Sequence, residues 1–426
     1  MPRRPAEGGG RLAALLGHRV TRNAAALGVV QVANYLVPLL LLPFLTRQLG
    51  MAAFGTVAVV LAAIQLAFVI TDYGFSLSAT LDVSLHRDDR GYLNRKIGAV
   101  FAAKGMLLAA LLALFGLALL LHEPLRTYRP FFVAAFLGVI GQAFQPLWLF
   151  QGLERMRQLA VYLVASKLLY AGLVLALVRG PEDALAVVYC WGVAQVAGAL
   201  LGLGFMGAQG FGAGAPTWAG VLEELRGGAG FFLSRLAVAV YTSVNSLFLG
   251  TQGTVGVAAY AVCEQVYKAG QNVTAPLTTA LYPYMARQRH WTVFFRALGL
   301  GGLCLALGCL LLGVLAEPVL GLLFGAEYRA AAPVLRVFLV TVLVNYLGVA
   351  FGYSAYAALG RVQVANVTVM LGGALHLGLL GLLLVLGEAT PLGVALATLA
   401  TESLVMAMRV AGVYWLRRSA REGVAP

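Results

Sequence analysis

Residues 106–121 read MLLAALLALFGLALLL, with neither a charge nor a polar side chain. Extended back to residue 93, the run becomes long enough for a helix to cross a hydrocarbon core, which takes about twenty residues. The same pattern recurs to both sides. Apolar runs at 24–46, 53–82, 93–121, 130–152, 158–178, 184–206, 229–250, 255–283, 293–316, 331–356, 362–387 and 391–415 alternate with short clusters of charge. The whole chain of 426 residues is 61% hydrophobic and only 11% charged. A soluble domain carries about 25% charged residues, so this chain has too little polar surface for water. The runs do not alternate residue by residue, which argues against a transmembrane barrel. The expected fold class is therefore all-α integral membrane, with twelve transmembrane helices.

Charge sets the expected orientation. With both termini cytoplasmic, nineteen Lys and Arg fall on the inner side: Arg3, Arg4, Arg11, Arg19 and Arg22 at the start; Arg87, Arg90, Arg95 and Lys96 next; then Arg155, Arg157, Arg226, Arg287, Arg289, Arg296 and Arg361; and Arg417, Arg418 and Arg421 at the end. Five fall outside: Arg47, Arg126, Arg129, Arg179 and Arg329. Cytoplasmic loops collect basic residues. The same rule accounts for the net charge of +13 without nucleic acid. The basic start followed by a long apolar run predicts a retained first span rather than a cleaved signal peptide.

The longest Gly-rich connection, GAQGFGAGAPTWAGVLEELRGG at 207–228, divides six runs from six. This predicts a basic cytoplasmic N-terminus (1–23), an N-lobe (24–206), a cytoplasmic linker (207–228), a C-lobe (229–415) and a cytoplasmic tail (416–426). Six spans return the chain to its starting side, so the six-helix lobes would be related by a pseudo-two-fold along the membrane normal. A faint internal echo fits. Leu49-Gly50 is followed by Gln65, and Leu249-Gly250 by Gln265, at a constant offset of 200.

Charges inside spans are costly and normally face a bundle interior or a wet cavity. Lys104, Lys167, Arg235, Lys268, Arg336 and Arg409 are the basic ones; Asp72, Asp82, Glu264 and Glu402 are the acidic ones. Arg336, Arg409 and Asp82 lie near span ends, where snorkelling or exposure accounts for them. Arg235 is followed along its helix by Tyr241, Thr242 and Asn245, a polar stripe expected to face a lumen. Glu264 and Lys268 are four apart, so they share a face and can pair. That pair reads either as a self-neutralised structural unit or as a lumenal cation beside a proton or cation site. Pro38 and Pro43 in the first span, and Pro276 and Pro283 in the eighth, predict bends. Cys190, Cys263, Cys304 and Cys309 all fall in spans, with no metal or disulfide spacing. The histidines (His18, His86, His122, His290, His376) are scattered. No nucleotide, zinc-protease or serine-hydrolase motif is present, so neither an enzyme nor a cofactor or metal is expected.

Six segments carry a family resemblance. ANYLVPLLLLPFLTRQLGMAAFGTVAVVLAAIQ (Ala33 to Gln65), DYGFSLSAT (Asp72 to Thr80) and QGLERM (Gln151 to Met156) are three. FFLSRLAVAVYTSVNSLFLG (Phe231 to Gly250), ALYPYMAR (Ala280 to Arg287) and LFGAEYRAAAPVLR (Leu323 to Arg336) are the others. In this order the chain resembles the Wzx-type polysaccharide flippases of the multidrug/oligosaccharidyl-lipid/polysaccharide superfamily.

The resemblance implies two lobes around a cationic cavity, and passage of an undecaprenyl-pyrophosphate-linked oligosaccharide from the cytoplasmic to the periplasmic leaflet of a bacterial inner membrane. It places Arg235 and Lys268 as substrate-binding cations and Asp72 as a weaker third position. Lys104 and Lys167 join them by their burial in spans. Glu264, Asp72, Asn245, Gln65 and Gln265 are the polar-lumen or coupling candidates. The implied partners are the lipid-linked glycan, membrane lipid and a polysaccharide polymerase or export complex.

Three rivals remain. A lipid II flippase of the same superfamily usually carries fourteen spans. A multidrug/cation antiporter calls for an acidic interior. A membrane glycan polymerase calls for a large periplasmic loop.

Overall fold

A computed structural model gives the backbone of residues 8–121 and 123–422; it describes side chains from residue 28 onward, except at 122, 124, 125, 234, 237, 238, 240–242 and 420–426. Arg3, Arg4, Arg11, Arg19, Arg22, Arg421, His18 and His122 fall outside the described side chains, as do Tyr241 and Thr242.

Among the described residues the chain is all helix and connection, without a strand. The order is α1 (Gly8–Asp72), α2 (Phe75–Leu85), α3 (Arg90–Leu121), α4 (Glu123–Arg126), α5 (Arg129–Ala143), α6 (Leu147–Gly152), α7 (Met156–Leu177) and α8 (Ala184–Ala208). Then come α9 (Trp218–Gly250), α10 (Thr254–Gln288), α11 (Trp291–Val314), α12 (Ala316–Phe324), α13 (Ala332–Val349), α14 (Ala355–Ala358), α15 (Gln363–Leu386) and α16 (Pro391–Glu422). A π segment, Ala350–Ser354, joins α13 to α14. The runs predicted to span are mostly helical, with breaks at 73–74 between α1 and α2 and at 144–146 between α5 and α6.

Among the described residues, nine helical stretches are long and apolar enough to cross a membrane. One of them, Gly28–Leu85, holds 58 residues. Straight, it would measure about 87 Å, nearly three hydrocarbon cores. It is not straight. Gly50, at φ 69° and ψ 174°, breaks α1, and Tyr73 and Gly74 are left-handed at φ 47° and 86°. The two predicted spans on either side of Gly50 are thus separate rods. α9 and α10, which carry Arg235, Glu264 and Lys268, are not among the nine. Outward faces are greasy: Leu120 and Leu121 of α3 are 73% and 77% exposed. Such surfaces suit lipid, where helices satisfy their own backbone groups.

The chain packs as two compact units. The first takes the residues up to Leu41, Ala67–Val178 and Leu185–Arg235. Its core gathers Phe75 and Ala79 of α2, Ile97 and Ala103 of α3, Trp148 of α6 and Tyr162 of α7. Small residues let these helices approach closely, as membrane interfaces favour. A Cβ on Gly141 would lie 2.6 Å from the backbone nitrogen of Val196, and one on Gly152 2.6 Å from Val83. The Gly-rich connection is shorter than the sequence implied, because α9 already begins at Trp218. It also lies flat on α3. Asn94 accepts from Gly212 N (3.0 Å) and Gly214 N (2.7 Å), and a Cβ on Gly98 would sit 1.9 Å from Gly214 O.

The second unit takes Leu42–Leu66, Arg179–Ala184 and Leu236 onward. Its core includes Met285, Phe294, Tyr346, Phe351, Tyr356 and Val413. The hairpin around Gly50 belongs here. Arg47 donates to the terminal carbonyls Leu322 and Leu323 of α12, where a helix C-terminus favours a cation. Glu327 accepts from Met51 N at 3.1 Å, a carboxylate at the N-terminus of the helix that restarts after Gly50. Two glycines complete the seat. A Cβ on Gly55 would lie 1.8 Å from Thr254 O, and one on Gly250 2.8 Å from Val59.

Candidate functional site

In the first unit, α1 ends at Asp72, and the left-handed pair Tyr73-Gly74 turns the chain into α2. Gly74 is needed there twice over. Its φ is positive, and a Cβ would lie 2.7 Å from that of Phe231 on α9. The Tyr73 ring stacks on Phe232 at 4.5 Å. This close seat brings Arg235 of α9 onto Asp72. Its Nη1 donates to Asp72 Oδ2 and to Ser76 Oγ (2.6 Å), and Ser76 Oγ donates to Asp72 Oδ2 at 2.8 Å. The Asp72 side chain is 7% exposed and that of Arg235 35%. The Nε and Nη2 groups of Arg235 make no hydrogen bond to a described residue, so part of the guanidinium fork is open.

Two more cations lie in the same unit. Lys104 of α3 is buried, and its ammonium donates to Ala143 O at 2.8 Å, the carbonyl that ends α5. Lys167 of α7 is half-buried and makes no hydrogen bond or ion pair with a described residue. Beside it, Ser166 Oγ donates to Gln195 Oε1 at 3.1 Å, and Gln145 Nε2 donates to Gln195 O at 3.3 Å. Neither lysine has a carboxylate within ion-pair reach among the described residues. Of these three cations, only Arg235 pairs with a carboxylate among the described residues, and that carboxylate is Asp72.

Lys96 corrects the sequence reading, which counted it among loop charges. It is buried, and its ammonium donates to Asp82 Oδ2 and to Glu224 Oε1 (2.7 Å), tying α3 to α2 and to the start of α9. Burial pushes the Glu224 carboxyl above the usual carboxylate range, and the Lys96 ammonium pulls it part of the way back.

The second unit holds a cavity of about 220 Å³. Glu264 and Lys268 line it and pair at 2.8 Å, as their spacing implied. Gln271 Nε2 donates to the Tyr267 hydroxyl at 2.8 Å, which itself donates to Glu402 Oε1 at 3.4 Å. Asn345 Nδ2 donates to Glu402 Oε2 at 3.1 Å. Asn245 also lines the cavity, but its amide is engaged. It donates to the Tyr260 hydroxyl (2.9 Å), and its oxygen faces His376 Nε2 (2.7 Å). Gln65 is exposed on the 42–66 segment, and Gln265 is half-buried on α10 outside the cavity wall.

Arg409 is a second correction. Read as a span-end residue, it is buried and donates to Thr368 Oγ1 (2.9 Å), Gly348 O (2.7 Å) and Ala365 O (3.1 Å). The π segment supplies the room. A Cβ on Gly352 would lie 2.7 Å from Arg409 Nη1. Arg336 is exposed beside Glu317 at 3.2 Å, as its span-end position implied. Asp82 is not simply exposed at its span end; it is a partner of Lys96. His376, which the sequence left without a role, is fully buried between Asn245 and Thr401.

Residues 20–289 match the sequence family described as polysaccharide biosynthesis protein. Two curated proteins carrying the provisional name O-antigen transporter are similar in sequence. One, from Shigella dysenteriae, is 25% identical over 74% of this chain and 80% of its own length. The other, from Escherichia coli K12, is 28% identical over 62% of this chain and 64% of its own. Among solved structures, an inward-facing multidrug resistance MATE transporter of the MOP superfamily matches with a TM-score of 0.67 at 14% identity, covering 93% of this chain and 99% of that one. The lipid II flippase MurJ, in an inward closed conformation, also scores 0.67, at 10% identity over 90% and 87%. These two likenesses establish a shared helical fold. The family match covers well over half of the chain: it belongs to the polysaccharide biosynthesis protein family, as its resemblance to the Wzx-type flippases implied.

Proposed function

We propose that this chain is a flippase. It moves an undecaprenyl-pyrophosphate-linked oligosaccharide repeat unit from the cytoplasmic to the periplasmic leaflet of the bacterial inner membrane, for O-antigen, capsule or exopolysaccharide assembly. One observation carries the reading: in the first unit Arg235 pairs with Asp72 through one nitrogen and leaves part of its guanidinium fork open, while Lys104 and Lys167 lie inside spans with no carboxylate within ion-pair reach among the described residues. A pyrophosphate cannot enter hydrocarbon without replacement of its water. Arg235 offers bidentate contact to phosphate oxygens, while Lys104 and Lys167 offer point charges. Asp72 and Ser76 hold Arg235 through one nitrogen and orient the rest.

In this reading twelve spans form two six-helix lobes, both termini are cytoplasmic, and alternating access carries the headgroup while the lipid tail stays in the bilayer. Glu264 is the coupling candidate, as a carboxyl that takes up and releases a proton. The provisional names of the two curated relatives favour a glycan cargo over a drug. The lipid II reading draws on the MurJ fold alone.

The test is deletion of the gene in its host, with lipid-linked glycans measured by mass spectrometry and surface glycan measured alongside. Accumulation of one lipid-linked repeat unit with loss of surface polymer is expected. If both pools stay normal in a strain without a second flippase, the reading fails.

A further inference from the structure

The two units differ in the charge they present, and the difference has a chemical meaning. In the first unit Asp72 holds Arg235 and the carboxylates Asp82 and Glu224 hold Lys96, while Lys104 and Lys167 have no carboxylate within ion-pair reach among the described residues. The cavity of the second balances Glu264 and Glu402 against Lys268 and Arg409. A pyrophosphate brought there would meet two carboxylates in a low-dielectric wall, where like charges repel strongly. A bare cation would meet two fixed cations. A neutral, hydroxyl-rich group meets neither obstacle.

The wall also offers what such a group needs. Carboxylates accept from hydroxyls, and the amides of Gln271 and Asn345 both donate and accept. Tyr267, packed on Phe338 at 5.4 Å, supplies apolar ring surface. A pyranose has this dual character, with C–H faces and a rim of hydroxyls. Volume limits the occupant. About 220 Å³ falls below the roughly 300–1,000 Å³ of pockets for drug-sized ligands, so the space suits one sugar ring rather than a whole repeat unit. The cavity is reachable, since the Lys268 side chain is 45% exposed and Tyr353 lies open at the wall.

We infer that this cavity binds a single pyranose ring of the transported glycan through Gln271, Tyr267, Asn345 and Glu402. The inference rests on the flippase reading for the identity of the glycan, but not for the presence of the sugar site. The second unit thereby selects the cargo by its sugar, while the first engages its phosphates. Selection by hydroxyl pairing is sharp, because a ring lacking the right hydroxyl leaves buried polar groups unpaired.

The full chain, purified into lipid nanodiscs, is tested by saturation-transfer NMR against methyl glycosides of neutral hexoses, deoxyhexoses and N-acetylhexosamines. At least one class is expected to receive saturation. Gln271→Leu and Tyr267→Phe are each expected to weaken that binding roughly two- to tenfold, the effect of one lost hydrogen bond, while Arg336→Gln leaves it unchanged. A measurement on the unaltered protein guards against variants that misfold: a diazirine derivative of the bound sugar is expected to label peptides spanning 260–271 or 345–353. The inference is overturned if no sugar receives saturation, if the label falls only elsewhere, or if sodium chloride, compared with choline chloride, displaces the sugar competitively. Gene deletion that accumulates a lipid-linked repeat unit while sugar binding is absent removes the cavity proposal alone. Sugar binding without any glycan phenotype removes the flippase reading alone.

Discussion

Single side chains decide whether a charge inside this protein is a liability or a tool. Arg235 is pinned at one nitrogen by Asp72 and Ser76 and keeps the others available. Arg235→Ala is expected to abolish glycan export in a complementation assay while membrane insertion and yield stay normal. Arg235→Lys should restore only part, because an ammonium lacks the planar fork. Normal export by a well-folded Arg235→Ala protein would remove this residue from the mechanism. Lys96 is a different case. Lys96→Met would leave Asp82 and Glu224 partly buried without their cation, a loss of about 3–5 kcal/mol for a broken buried pair. A lowered thermal midpoint of the detergent-purified protein checks this.

Lys104 and Lys167 were legible as span charges because each lies well inside an apolar run, and Arg235 because polar Tyr241, Thr242 and Asn245 follow it along its helix. Lys96 and Arg409 were not. Both sit near the ends of their runs, where a sequence gives no sign that α9 folds back over α3 or that a π segment opens space beside α16. The Asp72–Arg235 pair was equally invisible, since its members are 163 positions apart.

At the level of helices, close approach through glycine decides the packing. A Cβ on Gly98 would collide with Gly214 O, whereas one on Gly105, on the same helix, would meet nothing within 4 Å. Gly98→Ala is expected to destabilise the protein by about 1–3 kcal/mol, the usual effect of overpacking. Gly105→Ala should be neutral or stabilising by roughly 0.5–1 kcal/mol from helix propensity. Parallel melting curves separate the two, and equal midpoints would contradict the contact between the Gly-rich connection and α3. That connection, 207–228, was legible as a boundary in composition. Its first half lies on α3 through Asn94, and its second half is the start of α9. Composition cannot say this, because glycine permits both a free loop and a tight backbone contact.

For the molecule as a whole, the sequence carried the all-helical class well. Long apolar runs leave no choice but helix in a bilayer. The orientation from basic residues makes a separate prediction. A cysteine at Arg126 should react with a membrane-impermeant maleimide in intact spheroplasts, and one at Arg157 only after the inner membrane is opened. The reverse pattern would invert the topology. Compactness was less legible. Hydropathy divides the chain at one point in sequence, whereas Leu42–Leu66 packs with helices that lie almost two hundred positions or more away.

That hairpin ties the chain to itself in the manner of a swapped domain. Arg47 and Glu327 clasp it to α12 and to the turn that follows, and Gly55 seats it on Thr254. A chain severed in the Gly-rich connection would leave a C-terminal fragment missing part of its own core, held by the N-terminal one. The two pieces should therefore accumulate only when made together, each acting as chaperone to the other. A gene split at that point would behave as an obligate pair of subunits.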